Sequence, residues 1–294
     1  MPREIFSNTA YMIGPHIFIL DLDGTMIGNI VPQLCLWEIV NTINKTSGDV
    51  EDHISAESFR EYLRLQLAES GLVRPGLGSF LQFVYNELGG EIFVYTAAEK
   101  QWADVVCSII EDMYEIKFNR PIFSRDYCTN IHYASRNGRV NSTMITKCTK
   151  NISDTIVATL HGKHKYIHNS DELLSNMTII DDKPVFHDKS DQLHHTMCSE
   201  YRYTHTHDLL DFLPKRLVAK YHRLIVNILE QYMLSRFSLE AKLRHKRFTQ
   251  EYREQLYQYK YHNDTQYNAV DSRDEFWSSF TEKLQHSQCA STSI

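Results

Sequence analysis

No stretch of the 294 residues reaches the about 18 consecutive apolar residues that a membrane-spanning helix needs. The opening MPREIFSNTA also lacks the apolar block of a signal peptide, so a soluble, intracellular protein is expected, with cytoplasm and nucleus unresolved. Six cysteines (Cys35, Cys107, Cys128, Cys148, Cys198 and Cys289) are widely spaced without a CxxC pair, which suits reduced thiols and argues against a disulfide framework or a cysteine zinc site. His161, His164 and His168, and His205 with His207, have a ligand-like spacing, but neither set brings the cysteine or carboxylate that would complete a zinc site, and they read as polar loop residues. No internal repeat is found.

What the chain does have is enough length and apolar content, 42% hydrophobic, to bury one sizeable core and carry an appendage. The formal charge of -6 conceals an asymmetry. Residues 215 to 260 hold 11 Lys+Arg against 4 Asp+Glu, whereas the remainder holds 20 against 33, so two regions with different partners are expected.

Strands and helices alternate along the first two thirds. Ile17 to Leu20 reads as a buried strand, and helix-spaced apolar residues run over Leu34 to Ile43 and Phe59 to Leu67. GSFLQFVYNELGG reads as a helix closed by glycine and leading into the strand EIFVYT, and DELLSN as a helix leading into MTIIDD. Such alternation predicts an α/β fold with a parallel sheet, whose carboxyl ends would bring Asp21, Thr96 and Asp181 together. Beyond residue 215, Leu217, Tyr221, Leu224, Ile225, Ile228, Leu229, Tyr232 and Met233 follow helical spacing and predict one long amphipathic helix, followed by a basic, tyrosine-rich stretch and a frayed tail.

The stretch HIFILDLDGTMIG ends an apolar strand with two carboxylates one residue apart. They repel, and the pairing is tolerable when a cation lies between them or when one keeps a proton. An all-oxygen site suits magnesium. Gly24 permits a sharp turn, and Thr25 offers a hydroxyl and an amide.

DLDGT at 21 to 25, VYTAA at 94 to 98 and IIDDKP at 179 to 184 resemble the signature motifs of the haloacid dehalogenase (HAD) superfamily of phosphohydrolases. Within it, VRPGLGSFLQFVYNELGGEIFVYTAA and FSRDYC are similar to the phosphatases that act on the C-terminal domain of RNA polymerase II, the NLI-interacting-factor group. The resemblance covers roughly residues 14 to 215 and implies a HAD-like domain over 1-215, with a helical insertion at about 29-71, a second at about 129-164, and a basic helical extension over 216-294. Two departures fall inside the motifs: Gly24 stands where that group has an acidic residue, and Asp182 where it usually has asparagine.

The resemblance implies a Mg2+-dependent phosphomonoester hydrolase. Asp21 would be the nucleophile and Asp23 the general acid and base. Thr25, Thr96, Ala97 and a lysine would hold the phosphate, and Asp21, the carbonyl of Asp23, Asp181 and Asp182 the metal. For the lysine, Lys165 is favoured over Lys150 because one helix and one strand fill the 16 residues between it and Asp181. The expected substrate is phosphoserine or phosphothreonine in a protein. A nucleotide or nucleic-acid-end phosphatase is the alternative, since Lys242, Arg244, Lys246 and Arg247 interleave with Phe237, Phe248 and tyrosines at 252, 257, 259 and 261. The same segment could instead dock a protein partner, and a catalytically inactive phosphoprotein-binding fold is the non-enzymatic reading.

Overall fold

A computed structural model describes residues 15–134, 140–164, 176–186, 189–203, 209–236 and 274–291. In chain order the elements are β1 (Ile17–Leu20), α1 (Val31–Thr46), α2 (Ala56–Glu69), α3 (Leu77–Gln82), β2 (Glu91–Val94), α4 (Lys100–Tyr114), β3 (Thr129–Ala134) and β4 (Val140–Thr146). They continue with α5 (Ser153–Lys163), β5 (Met177–Asp181), α6 (Lys189–His194), β6 (His195–Met197), α7 (Lys215–Lys220), α8 (His222–Arg236) and α9 (Phe276–Ser291).

The fold is α/β: a parallel sheet of order β2-β1-β5-β6 flanked by helices. All four residues of β1 are buried, as a strand covered on both faces requires, and its apolar run has no alternation for the same reason. It pairs in register with β2 (Leu20 opposite Val94) and with β5 (Leu20 opposite Ile180). The ladder continues past the strand ends, Tyr95 N–H donating to Leu20 O at 2.9 Å and Asp21 N–H to Ile180 O at 2.9 Å. Three carboxyl ends therefore stand level. β3 and β4 form a separate antiparallel pair within residues 129–164.

The helix expected over residues 78 to 90 begins as α3 and widens into a π-helical turn over Phe83–Leu88, closed by Gly89 in the left-handed region. The helix expected from DELLSN falls largely outside the described residues, as does the basic stretch from residue 237 to 273.

The chain divides into two compact units. One comprises the described parts of Met1–Thr25, Gly78–Glu200 and Trp277–Ile294 and carries the sheet; the other comprises those of Met26–Leu77 and Tyr201–Phe276 and is helical. This division differs from a single boundary at residue 215, because the helices of 29–71 group with chain that follows residue 200.

In the helical unit, α1 buries Cys35, Leu36, Ile39, Val40 and Ile43, one stripe at helical spacing. Ser55 caps α2 by accepting from Ser58 N–H at 3.0 Å, and Phe59, Leu63 and Leu67 line its buried face. The single helix expected from Leu217 to Met233 is two, α7 and α8, broken at Tyr221. The Tyr221 hydroxyl donates to buried Asp52 at 2.8 Å, and Asp52 also accepts from Arg216 at 2.8 Å and from Lys220. All three side chains converge on one carboxylate.

Candidate active site

Asp21 follows β1, Thr96 lies two residues beyond β2, and Asp181 closes β5, so the parallel register delivers all three to one edge of the sheet. Asp21, Asp181 and Asp182 each present a carboxylate oxygen, and these atoms lie within 4.8 Å of one another.

The lysine brought to this group is Lys147. It follows β4, its side chain is 4% exposed, and its Nζ lies 2.6 Å from Asp21 Oδ1 and 2.6 Å from Asp181 Oδ2. Its backbone N–H donates to Val185 O at 3.1 Å, which fastens the end of β4 to the segment after β5. Tyr95, the tyrosine of VYTAA, secures the next peptide. Its hydroxyl accepts from Cys148 N–H at 3.3 Å and donates to Tyr127 O at 2.9 Å, and its ring centroid lies 5.7 Å from Lys147 Nζ. Burial alone would lower the ammonium's pKa, but Asp21 and Asp181 hold it above the ordinary value, so Lys147 stays charged.

Sequence reasoning missed Lys147. Lys165 lies outside the described residues, and Lys150 sits exposed in a short 3-10 turn, Thr149–Asn151. The available signal was position: Lys147 directly follows the strand VNSTMIT, as Asp21 follows its own, and α5 stands between it and β5. Arg125 was also not singled out; its Nε donates to Ala97 O at 2.8 Å and so braces the VYTAA loop.

Burial, and then the charge of Asp21, push the Asp23 carboxyl up to about 7. Asp23 Oδ1 is buried and has no hydrogen-bond partner among the described residues. The same two causes raise Asp181 to about 7 against the pull of Lys147, and burial also raises Asp182. Asp181 Oδ1 accepts from Lys183 N–H at 2.8 Å, and Asp182 Oδ2 lies 3.5 Å from Lys183 Nζ. Carboxyl groups lifted this far together are in deficit of positive charge. Their all-oxygen donor set and their spacing fit magnesium.

Thr25 is fully buried, and its hydroxyl is engaged: it accepts from Asp182 N–H at 3.0 Å and donates to Asp182 Oδ1 at 3.4 Å. It thus positions Asp182. Thr96 Oγ1 accepts from Ala98 N–H at 3.1 Å, which shapes the loop after β2. Gly24 has φ +83°, and a Cβ there would stand 2.7 Å from Asp182 Oδ2, so both the turn and the neighbouring carboxylate require glycine. Of the histidines, His164 Nε2 lies 2.7 Å from Glu91 Oε1; His168, His205 and His207 lie outside the described residues.

The sequence pattern of the NLI interacting factor-like phosphatases matches residues 16–215, about two thirds of the chain. The chain belongs to this family. The NLI interacting factor-like match begins at β1 and takes in every carboxylate of the site together with Lys147. Among solved structures, the fission yeast RNA polymerase II CTD phosphatase Fcp1 bound to beryllium fluoride is similar at 17% identity and TM-score 0.40, with 92% of this chain and 62% of that one covered. A phosphoserine phosphatase carrying a phospho-aspartyl intermediate analogue is similar at 13% identity and TM-score 0.27, covering 57% of this chain and 78% of that one. A phosphoserine phosphohydrolase-like protein from Francisella tularensis gives 14% identity and TM-score 0.25, covering 71% and 98%. The chain thus spans about three fifths of the Fcp1 chain. No individually curated protein matches.

Proposed function

We propose that this NLI interacting factor-like chain is a magnesium-dependent phosphomonoester hydrolase that works through an aspartyl-phosphate on Asp21, with phosphoserine or phosphothreonine in a protein as substrate. One observation carries the reading. Lys147 Nζ bridges Asp21 and Asp181 at 2.6 Å each, placing a buried cation against the nucleophile where a phosphoryl group would arrive.

With Oδ1 of Asp21 held by Lys147, Oδ2 attacks phosphorus and the bond to the leaving oxygen breaks. Asp23, whose carboxyl keeps its proton up to about pH 7, protonates that oxygen. Asp23, now ionised, takes a proton from water, which attacks the phosphorus and releases phosphate from Asp21. Lys147 and the Thr96 hydroxyl steady the phosphoryl oxygens throughout. Asp21, Asp181, Asp182 and the Asp23 carbonyl would hold magnesium, which would neutralise their charge.

Hydrolysis of p-nitrophenyl phosphate with magnesium, with EDTA and with Asp21→Asn tests the mechanism. Turnover that needs magnesium and vanishes in the variant is expected, and turnover surviving in Asp21→Asn overturns it. Phosphoserine peptides set against a 3'-phosphorylated oligonucleotide test the substrate. Preference for the oligonucleotide, with steep loss on adding salt, would transfer the assignment to nucleic acid and to the basic stretch after residue 236. Phosphopeptide binding without turnover would leave a binding fold. Among the described residues no helix is long and apolar enough to cross a membrane.

A further inference from the structure

The family match ends at residue 215, yet the sheet-bearing unit includes the described residues from Trp277 onward. We infer that α9 is a working part of the catalytic domain and that Trp277 is a positioning residue for the nucleophile loop.

Trp277 is 0% exposed, and its indole N–H donates to the Thr25 carbonyl at 3.3 Å, across 252 residues of chain. Its ring packs on Phe80 of α3 with centroids 4.5 Å apart, and Phe80 meets Phe18 of β1 edge-on at 5.6 Å. The aromatic column thus runs from the strand that carries Asp21 to the C-terminal helix. Phe280, one turn further along α9, closes it at 5.8 Å from Phe80.

The hydrogen bond matters because of what Thr25 does. Its hydroxyl takes the Asp182 N–H and reaches Asp182 Oδ1, so Trp277 fixes a peptide, the peptide fixes Thr25, and Thr25 fixes one of the three grouped carboxylates. An indole is the aromatic ring that combines this bulk with a donor, and burying the donor demands an acceptor. The acceptor that this indole meets is the backbone carbonyl of Thr25, two residues from Asp23.

This inference rests on the proposed reaction, and its test is built so that either can fail alone. In the 294-residue chain, Trp277→Phe keeps an aromatic ring and deletes the donor, whereas Phe280→Ala thins the same column and leaves the donor in place. By the usual worth of one hydrogen bond, Trp277→Phe should lower kcat by about three- to tenfold with KM little changed. It should also weaken magnesium binding by a similar factor in titration calorimetry. Hydrogen exchange should quicken in peptides covering 21–30 and 177–186 and stay unchanged over α4. Phe280→Ala should lower the melting temperature more and touch these readouts less. The inference is overturned if Trp277→Phe leaves exchange over 21–30 at the wild-type rate, or if exchange quickens evenly across the sheet-bearing unit. Both outcomes are readable without turnover, so an inactive wild-type chain would defeat the proposed reaction and still decide this one.

Discussion

Lys147→Met is the sharpest perturbation, because it keeps length and bulk and deletes the cation. At 2.6 Å each contact of Nζ with Asp21 and Asp181 is worth roughly 6 kcal/mol at an effective dielectric of 20. The cost of stripping water from a buried ammonium offsets most of that, so a net loss of about 3–5 kcal/mol is expected when one partner of such a buried group is removed. For a domain of this size that is a fall of about 6–20 °C in melting temperature. Turnover should drop by at least about 10²-fold, the usual price of one preorganised donor at a site of developing charge. The two effects separate on adding magnesium. A divalent cation can neutralise the acidic group, so melting temperature recovers in part, but it cannot supply the missing donor, so kcat does not. Differential scanning fluorimetry with and without magnesium, beside p-nitrophenyl phosphate kinetics, measures both. The reasoning is refuted if Lys147→Met keeps kcat/KM within about threefold of wild type. It is refuted equally if Lys165→Met abolishes turnover while Lys147→Met spares it.

Arg74, the arginine of the RPG signature, has no exposed side-chain surface and pairs with Asp274 through two contacts of 3.0 Å. Asp274→Ala should therefore destabilise the helical unit by about 3–5 kcal/mol in urea denaturation. Asp52 is held below the ordinary carboxylate range by its hydrogen bonds to Lys220, Tyr221 and Ser47. A depressed folded-state value stabilises the protein above the unfolded pKa and loses that contribution as pH falls, so the stability gap between wild type and Asp52→Asn should be full at pH 7 and shrink below about pH 4. Gly24→Glu should cost about 1–2 kcal/mol for its φ of +83° and more for displacing Asp182. Adding Asp182→Asn should recover part of the loss, seen as non-additivity in a double-mutant cycle.

The parts of the site that lie directly after apolar strands were readable from sequence. Ile17 to Leu20 and Met177 to Ile180 announce themselves as buried strands, and the carboxylates that end them follow from continuity of the chain. Lys147 was not readable in the same way. Its strand, VNSTMIT, is polar and pairs antiparallel in a two-stranded sheet of its own, so it gives no apolar run to mark its end, and counting back from Asp181 assumed one helix with nothing inserted. Trp277 was beyond reach because its partner is a backbone carbonyl 252 residues away, and no pattern of side chains records such a contact. The break at Tyr221 was hidden for a related reason. Helical spacing persists across it, and the convergence of Arg216, Lys220 and Tyr221 on Asp52 joins parts of the chain that no local pattern connects.

Gly24 and Asp182 also change meaning once they are seen together. Taken singly against the polymerase phosphatases, one is a lost acid in the loop and the other an added acid at a strand end, and the second alone would make the site one charge more negative. A Cβ at position 24 would lie 2.7 Å from Asp182 Oδ2 and 2.8 Å from its Cγ, so the two positions compete for one space. A side chain at 24 and the present placement of Asp182 exclude each other, and an acidic pair there would add repulsion to the clash. Glycine at 24 therefore leaves room for Asp182, whose carboxylate meets the Thr25 hydroxyl, lies beside Lys183 and comes within reach of Asp21 and Asp181.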